Sequence, residues 1–217
     1  MVGRSRADAA ATREALLDAA EAAFLERGVS RTSLDEIARR AGVTRGAVYW
    51  HFRNKADLFS AMLDRVRLPM AELLEELGPQ RGADPLAALH ELCVYALRSL
   101  ASNPRRQRVY TILFHRSEMV GSDHPVAEQQ ARLAGETIEL LEQTLQQAQR
   151  QGALNRALDT AAAAYAVHAF LTGLYRDWLR DPERFDVGVY AEPLLDTLFY
   201  GLAAGGGVSQ AAAGSAR

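Results

Sequence analysis

The stretch that decides the fold is Ser33–Phe52, SLDEIARRAGVTRGAVYWHF. It reads as two short helices joined by a tight turn. Ser33 opens the first helix and Glu36 stands three residues on, the S-x-x-E capping box in which each side chain satisfies the other's orphan amide. Leu34, Ile37, Ala38 and Ala41 give that helix one apolar stripe. Gly42 follows at the position where a helix ends in left-handed backbone, which glycine adopts without a Cβ penalty. Thr44 then caps the second helix. Only a few residues separate the two caps, the geometry of a helix-turn-helix, and this predicts a DNA-binding element.

On the N-terminal side a helix is expected from about Ala10 to Arg27, stopped by Gly28. Its stripe of Ala15, Leu16, Ala19, Ala23 and Phe24 must cover the motif, which is too small to bury its own apolar face. On the C-terminal side Asn54 caps a fourth helix starting at Lys55, with Leu58, Phe59, Met62, Leu63 and Val66 at helical spacing. Pro69 either ends that helix near Leu68 or kinks it on its way to Leu77. Gly78-Pro79 and Arg81-Gly82 mark a loop. Asp84-Pro85 and Asn103-Pro104 each combine a cap with a proline at the first helical position, opening helices to about Ala101 and Val120. After a turn at Gly121-Ser122-Asp123, a long helix runs from about Pro125 to Gln151 and stops at Gly152. Asp159 to Leu179 and Asp186 to Leu202 complete the set. No segment alternates with period two for long enough to propose a strand. The fold class expected is all-α with nine helices. Residues 1–54 form a three-helix DNA-binding domain, 55–202 a larger helical domain, and 203–217, AAGGGVSQAAAGSAR, a tail without the apolar mass to order itself.

At 217 residues the chain is long enough for two hydrophobic cores. Its formal net charge is −2, but the charge is unevenly spread. Residues 1–67 hold 12 Lys+Arg against 9 Asp+Glu, and residues 68–217 hold 13 against 18. A mildly basic head on an acidic body turns the head towards phosphates. A protein of chromosome architecture would call for a far more basic chain. The single Cys93 excludes an internal disulfide and any cysteine-based zinc site, and its setting in LCVYAL reads as a buried thiol. No apolar leader follows MVGRSRAD and no run reaches spanning length, so no membrane partner and a cytoplasmic location are expected. The five histidines show no paired Glu-x-x-His, and there is no G-x-S-x-G and no phosphate-binding glycine loop. An enzyme is therefore the weak alternative, and no metal or cofactor is expected.

The second helix of the motif, Thr44 to Phe52, is the expected recognition helix. Tyr49, Trp50 and His51 are consecutive and point in different directions, so they cannot all be core. Val48 and Phe52, four apart, are the natural core face. Tyr49 and Trp50 are then left towards solvent, at a cost in exposed apolar area that a DNA backbone would relieve. Gly46 costs roughly 1 kcal/mol relative to Ala inside a helix. Either close packing on the first motif helix or close approach to a phosphate would explain it. Arg45 is best placed for a base contact, since its fork matches O6 and N7 of guanine. Ser33, Thr44 and His51 would meet phosphates or base edges. Lys55, the one lysine of the chain, stands at a helix start where the macrodipole disfavours a cation, which predicts a backbone phosphate as its partner. Leu34 is expected to pack, with Arg6, Arg13 and Arg53 as candidates for non-specific phosphate contacts.

From about Thr12 to Leu63 the chain resembles the DNA-binding domain of the TetR family of repressors. TRGAVYWHFRNKADLF is especially similar to the AcrR-type subgroup, which represses multidrug efflux pumps. The remainder resembles the family in helix count and length. What the resemblance implies is a TetR-like fold with an N-terminal helix-turn-helix domain and a C-terminal ligand-binding and dimerisation domain. It implies a homodimeric repressor of a multidrug efflux operon, bound to palindromic double-stranded operator DNA and released by a small hydrophobic or amphipathic effector. It also implies that a lysine at the position of Lys55 touches phosphate. Ala162, Ala166, Ala169 and Gly173 fall on one stripe where another helix can come close, and the family's use of its last two helices assigns them, with Leu194 and Leu198, to the dimer interface. Tyr95, Thr111, Phe114, His115, Glu118, His168, Phe170 and Tyr175 are the expected effector residues. Thr111, His115 and Glu118 share one helical face, and His115 and Glu118 stand foremost. A metabolite-responsive regulator or an activator on the same fold is the alternative.

Overall fold

The computed structural model describes residues 2–67, 72, 73, 76, 84–117 and 125–203. The readings at Pro69, the 78–82 loop, Glu118, the 121–123 turn and the tail beyond Ala203 lie outside them. Nine α-helices have both ends among the described residues: α1 Val2–Arg27, α2 Leu34–Arg40, α3 Arg45–His51, α4 Lys55–Asp64, α5 Pro85–Ser102, α6 Pro104–Thr111, α7 Pro125–Arg150, α8 Thr160–Arg180 and α9 Val187–Leu202. No strand occurs among those residues, only an isolated bridge between Leu154 and Ala203.

Helix starts follow the caps that the sequence carries. Ser33, Thr44, Asn54, Asn103 and Asp186 each accept a hydrogen bond from a backbone amide in the first turn of α2, α3, α4, α6 and α9. Asp84 and Asp159 do the same for α5 and α8. Two stops are equally legible. Gly42 has φ 70°, and behind it the Val43 amide donates to Ala38 and the Gly42 amide to Arg39, closing α2 in a Schellman motif. Gly152, φ 81°, repeats the pattern behind α7, with Ala153 donating to Ala148.

Three elements differ from expectation. α1 begins at Val2 rather than near Ala10, since no proline stands between them. α4 ends at Asp64 rather than near Leu68, and the carbonyl of Val66 just beyond accepts from Nε of the buried Arg106 at 3.0 Å. The helix from Pro104 does not run as one α-helix to Val120: after Thr111 it widens into a π-helix over Ile112–Arg116. The widened turn still leaves Thr111 and His115, four residues apart, on about the same side, while Glu118, the third residue of the expected face, lies outside the described residues.

The chain divides into two compact units. The first comprises residues 1–68, 100–134 and 175–184. The DNA-binding domain read over 1–54 thus lies inside a larger packing unit. Its core joins Leu16, Leu17, Ala20 and Phe24 of α1 to Ile37, Val48, Phe52, Leu58, Phe59 and Met62, with Val109 and Ile112 from the α6 region. The expected α1 stripe is buried here, except that Ala15 is only partly so. The second unit comprises the described residues within 69–99, 135–174 and 185–203. Leu89, Leu92, Leu97, Leu141, Leu145, Val167 and Leu195 are buried in it, and so is Cys93, whose thiol burial pushes up to about 12.

Candidate nucleic-acid interface

The motif is built on one buried seam. Ile37 and Ala38 of α2 meet Val48 and Phe52 around α3, all 2% exposed or less. Leu34 packs against the same core, as expected. With that face committed, α3 turns its remaining residues outward: Tyr49 is 48% and Trp50 72% exposed. A tryptophan so open on a seven-residue helix contributes little to the core.

Gly46 is also exposed, and a Cβ built on it would meet nothing closer than the Thr44 hydroxyl at 3.9 Å. Close packing inside the molecule therefore does not explain this glycine. Arg45, at the start of α3, has Nε 3.0 Å from Oδ1 of Asp35 on α2. Its guanidinium carbon lies 5.5 Å from the Tyr49 ring centroid. The hydrogen bond to Tyr49, then the Asp35 charge, hold Arg45 above its ordinary pKa. His51 packs edge-on to Trp50 with centroids 4.5 Å apart. Burial, and then the charge of Arg13, lower its pKa. Arg13 itself lies over the Phe52 ring at 5.4 Å.

The capping box is made by half. Ser33 Oγ accepts from the Glu36 amide at 3.2 Å, but the Glu36 carboxylate turns to Arg27, 2.9 Å away, and ties α2 to α1. Thr44 Oγ1 accepts from the Ala47 amide at 3.3 Å. Both hydroxyls are thus engaged in capping on the exposed side of the motif.

Lys55 has a different environment from the one its helix position suggested. Its ammonium donates to the carbonyls of Val29, Thr32 and Ser30 at 2.7, 3.0 and 3.2 Å. Three protons meet three carbonyls in the loop between α1 and α2. These loop carbonyls supply negative partial charge that offsets the helix dipole. Desolvation lowers its pKa. The same loop is fixed from a further side, where the Val29 amide donates to the carbonyl of Arg116, at the end of the π-helix, at 2.9 Å.

Of the expected effector residues, three meet in the first unit. Tyr175 stacks on Tyr110 at 5.5 Å, Phe114 is 6.1 Å from Tyr110 and 6.4 Å from Tyr175, and His115 Nε2 is 2.9 Å from the Arg176 carbonyl. The Thr111 hydroxyl folds back onto its own helix, donating to Gln107. Glu118 lies outside the described residues. Tyr95, half exposed, His168 and Phe170 belong to the second unit, and burial lowers the pKa of His168. A surface cleft of about 400 Å³ in the first unit is lined by Asp18, Glu21, Glu26, Arg40, Arg105 and Arg108, with Ala22 and Leu25. No expected effector residue lines it, and its charges pair with one another: Arg108 with Glu21 at 2.6 Å, Arg40 with Glu26 at 2.8 Å and Arg105 with Asp18 at 3.0 Å. This network between α1 and helices α2 and α6, and the Asp35 contact, were both missed in the sequence. Each joins residues on separate helices, and helical periodicity carries no signal for that.

In the second unit Ala162, Ala166, Ala169 and Gly173 are all exposed along α8, while Leu194 and Leu198 of α9 are half-buried. Tyr165 of α8, and Val189, Tyr190 and Tyr200 of α9, are exposed with them. Among the described residues no helix is long and apolar enough to cross a membrane, and no His, Cys, Asp and Glu cluster could hold a metal ion.

Residues 16–62 match the model of bacterial regulatory proteins of the tetR family, and residues 84–203 match that of the MAATS-type transcriptional repressor C-terminal region. The chain is 36% identical over 207 residues to the HTH-type transcriptional repressor BepR of Brucella suis biovar 1 (strain 1330), covering 95% of this chain and 99% of that protein. Among solved structures it is similar to NalD, the secondary repressor of the MexAB-OprM multidrug efflux pump in Pseudomonas aeruginosa. That match has TM-score 0.81 and 45% identity over 90% of this chain and 98% of NalD. A complex with triclosan of SmeT, the repressor of the Stenotrophomonas maltophilia multidrug efflux pump SmeDEF, matches with TM-score 0.79 and 31% identity. It covers 95% of this chain and 99% of SmeT.

Proposed function

The chain belongs to the TetR family of bacterial transcriptional regulators, and on that premise we propose that it is a homodimeric repressor of a multidrug efflux operon. It binds a palindromic operator in the cytoplasm and leaves it when a small hydrophobic ligand binds. The observation that carries the DNA reading is α3: Val48 and Phe52 are buried while Gly46, Tyr49 and Trp50 lie open on the other side. An exposed tryptophan beside an unhindered glycine suits a groove wall, where the ring covers sugar and phosphate and the backbone comes close. Arg45 supplies the base contact.

One such helix reads a half-site, and two read a palindrome when they stand about one turn of DNA apart, roughly 34–36 Å. The exposed small-residue stripe of α8, Ala162, Ala166, Ala169 and Gly173, supports a two-fold four-helix interface. The efflux operon and the ligand class rest on NalD and SmeT, the latter seen with triclosan. Release needs a coupling between effector and DNA of about 1–3 kcal/mol, enough to weaken the operator 5–150-fold. The Tyr110, Phe114 and Tyr175 cluster is the aromatic surface offered to such a ligand, with His115 beside it. α4, which begins at the motif, is the lever.

Selection of duplexes from a random library by the intact protein tests this reading. Two inverted half-sites spaced by one helical turn are expected, with Trp50→Ala enriching them about tenfold less. A selection that yields no common sequence overturns it.

A further inference from the structure

We propose that Asp35 is a positioning residue for recognition: it aims Arg45 at its base and so sets part of the sequence selectivity of α3. This rests on the reading that Arg45 touches a base edge. Asp35 lies on α2 and not on the recognition helix, and its Oδ1 is 3.0 Å from Arg45 Nε. Tyr49, one turn along α3, lies beside the same guanidinium, its ring centroid 5.5 Å from Cζ. Both members of the ion pair are half or more exposed, so as a stabilising contact the pair is worth little.

Its geometry is informative where its energy is not. End-on pairing of an arginine with O6 and N7 of guanine uses the two terminal amines of the fork. Nε is the nitrogen that this pairing leaves over, and it is the one that Asp35 holds. A long side chain anchored at Nε and steadied by a ring loses less freedom when it docks. The Asp35 carboxylate also repels phosphates, so it penalises any DNA on which Arg45 finds no guanine. Attraction to the right base and repulsion from the wrong surface act together on selectivity.

The test uses a duplex selected by the wild-type protein, a random duplex of equal length, and the selected duplex with 7-deazaguanine at each guanine in turn. Wild type should lose roughly tenfold in affinity at one guanine per half-site. In Asp35→Asn the ratio of selected to random binding should fall about tenfold, random binding should hold or tighten, and the 7-deazaguanine penalty should shrink. If Asp35→Asn keeps the ratio and the penalty, the proposal is overturned. The same holds if it weakens both duplexes in parallel, which is what a merely structural role in α2 would do. Arg45→Ala separates the two ideas: if that variant retains full selectivity, the base contact itself falls.

Discussion

Trp50 carries the largest exposed apolar area of the recognition helix, and its removal should leave the fold intact. Trp50→Ala is expected to change unfolding free energy by no more than about 0.5 kcal/mol while weakening operator binding roughly tenfold or more; urea melts and anisotropy titrations read the two separately. Lys55 should behave in the opposite way. Lys55→Met leaves three loop carbonyls without their donor, and a loss of about 1–2 kcal/mol in stability is expected. The slope of log affinity against log salt should stay put, whereas a lost phosphate contact would reduce it by about one. His51 gives a pH signature. Its pKa is lowered from 6.5 by burial first and by Arg13 second, so the unfolded chain binds more protons between the two values. Stability from this group is present above pH 6.5 and is lost as pH falls through the folded value. A phosphate against His51 favours the imidazolium, so operator affinity should rise as pH falls, and His51→Gln should abolish that rise. The sequence alone made Val48, Phe52, Tyr49 and Trp50 legible, because i,i+4 spacing sorts a helix into inside and outside. At Lys55 it was incomplete, because a helix-start cation signals a negative partner without naming the loop carbonyls of Val29, Ser30 and Thr32.

Among elements, the loop from Gly28 to Thr32 is where several restraints converge. Gly28 has φ 84°, and a Cβ there would lie 3.2 Å from the Arg116 carbonyl, the same oxygen that accepts from the Val29 amide. Gly42 is as strained for a side chain, with φ 70°, but has nothing near it. Gly28→Ala should therefore cost more than Gly42→Ala, which carries only the left-handed penalty of about 1–2 kcal/mol; paired chemical-denaturation curves decide it. This loop joins the π-helix holding Phe114 and His115 to the ammonium of Lys55 at the start of α4. Caps and C-terminal glycines made most helix boundaries readable, since Asn, Asp, Ser, Thr and Gly act locally. The π-helix was not readable, because TILFHR looks like ordinary helix and the widened turn has no residue of its own.

For the whole molecule, the proposed reading of a palindrome requires two heads held at a fixed separation. Ala166→Arg puts a long cation on the exposed stripe of α8, where the folded protomer has room for it. The variant is expected to sediment as a monomer with unchanged helix content and to lose operator binding, because a single head gives up half the contacts. The small-residue stripe was visible in the sequence, but the residues of an effector site were not. An aromatic inside a helix packs a core or lines a site with the same periodicity, and only neighbours tell them apart. The central claim, a ligand-released and sequence-selective repressor, is tested most directly by anisotropy titration on DNA from just upstream of the protein's own gene. Random DNA, two salt concentrations and added triclosan with a panel of hydrophobic drugs and dyes complete the experiment. Selective, saturable binding that at least one compound reverses is the predicted result. Equal binding to promoter and random DNA at low salt, or selective binding that no hydrophobic compound loosens, would contradict the account.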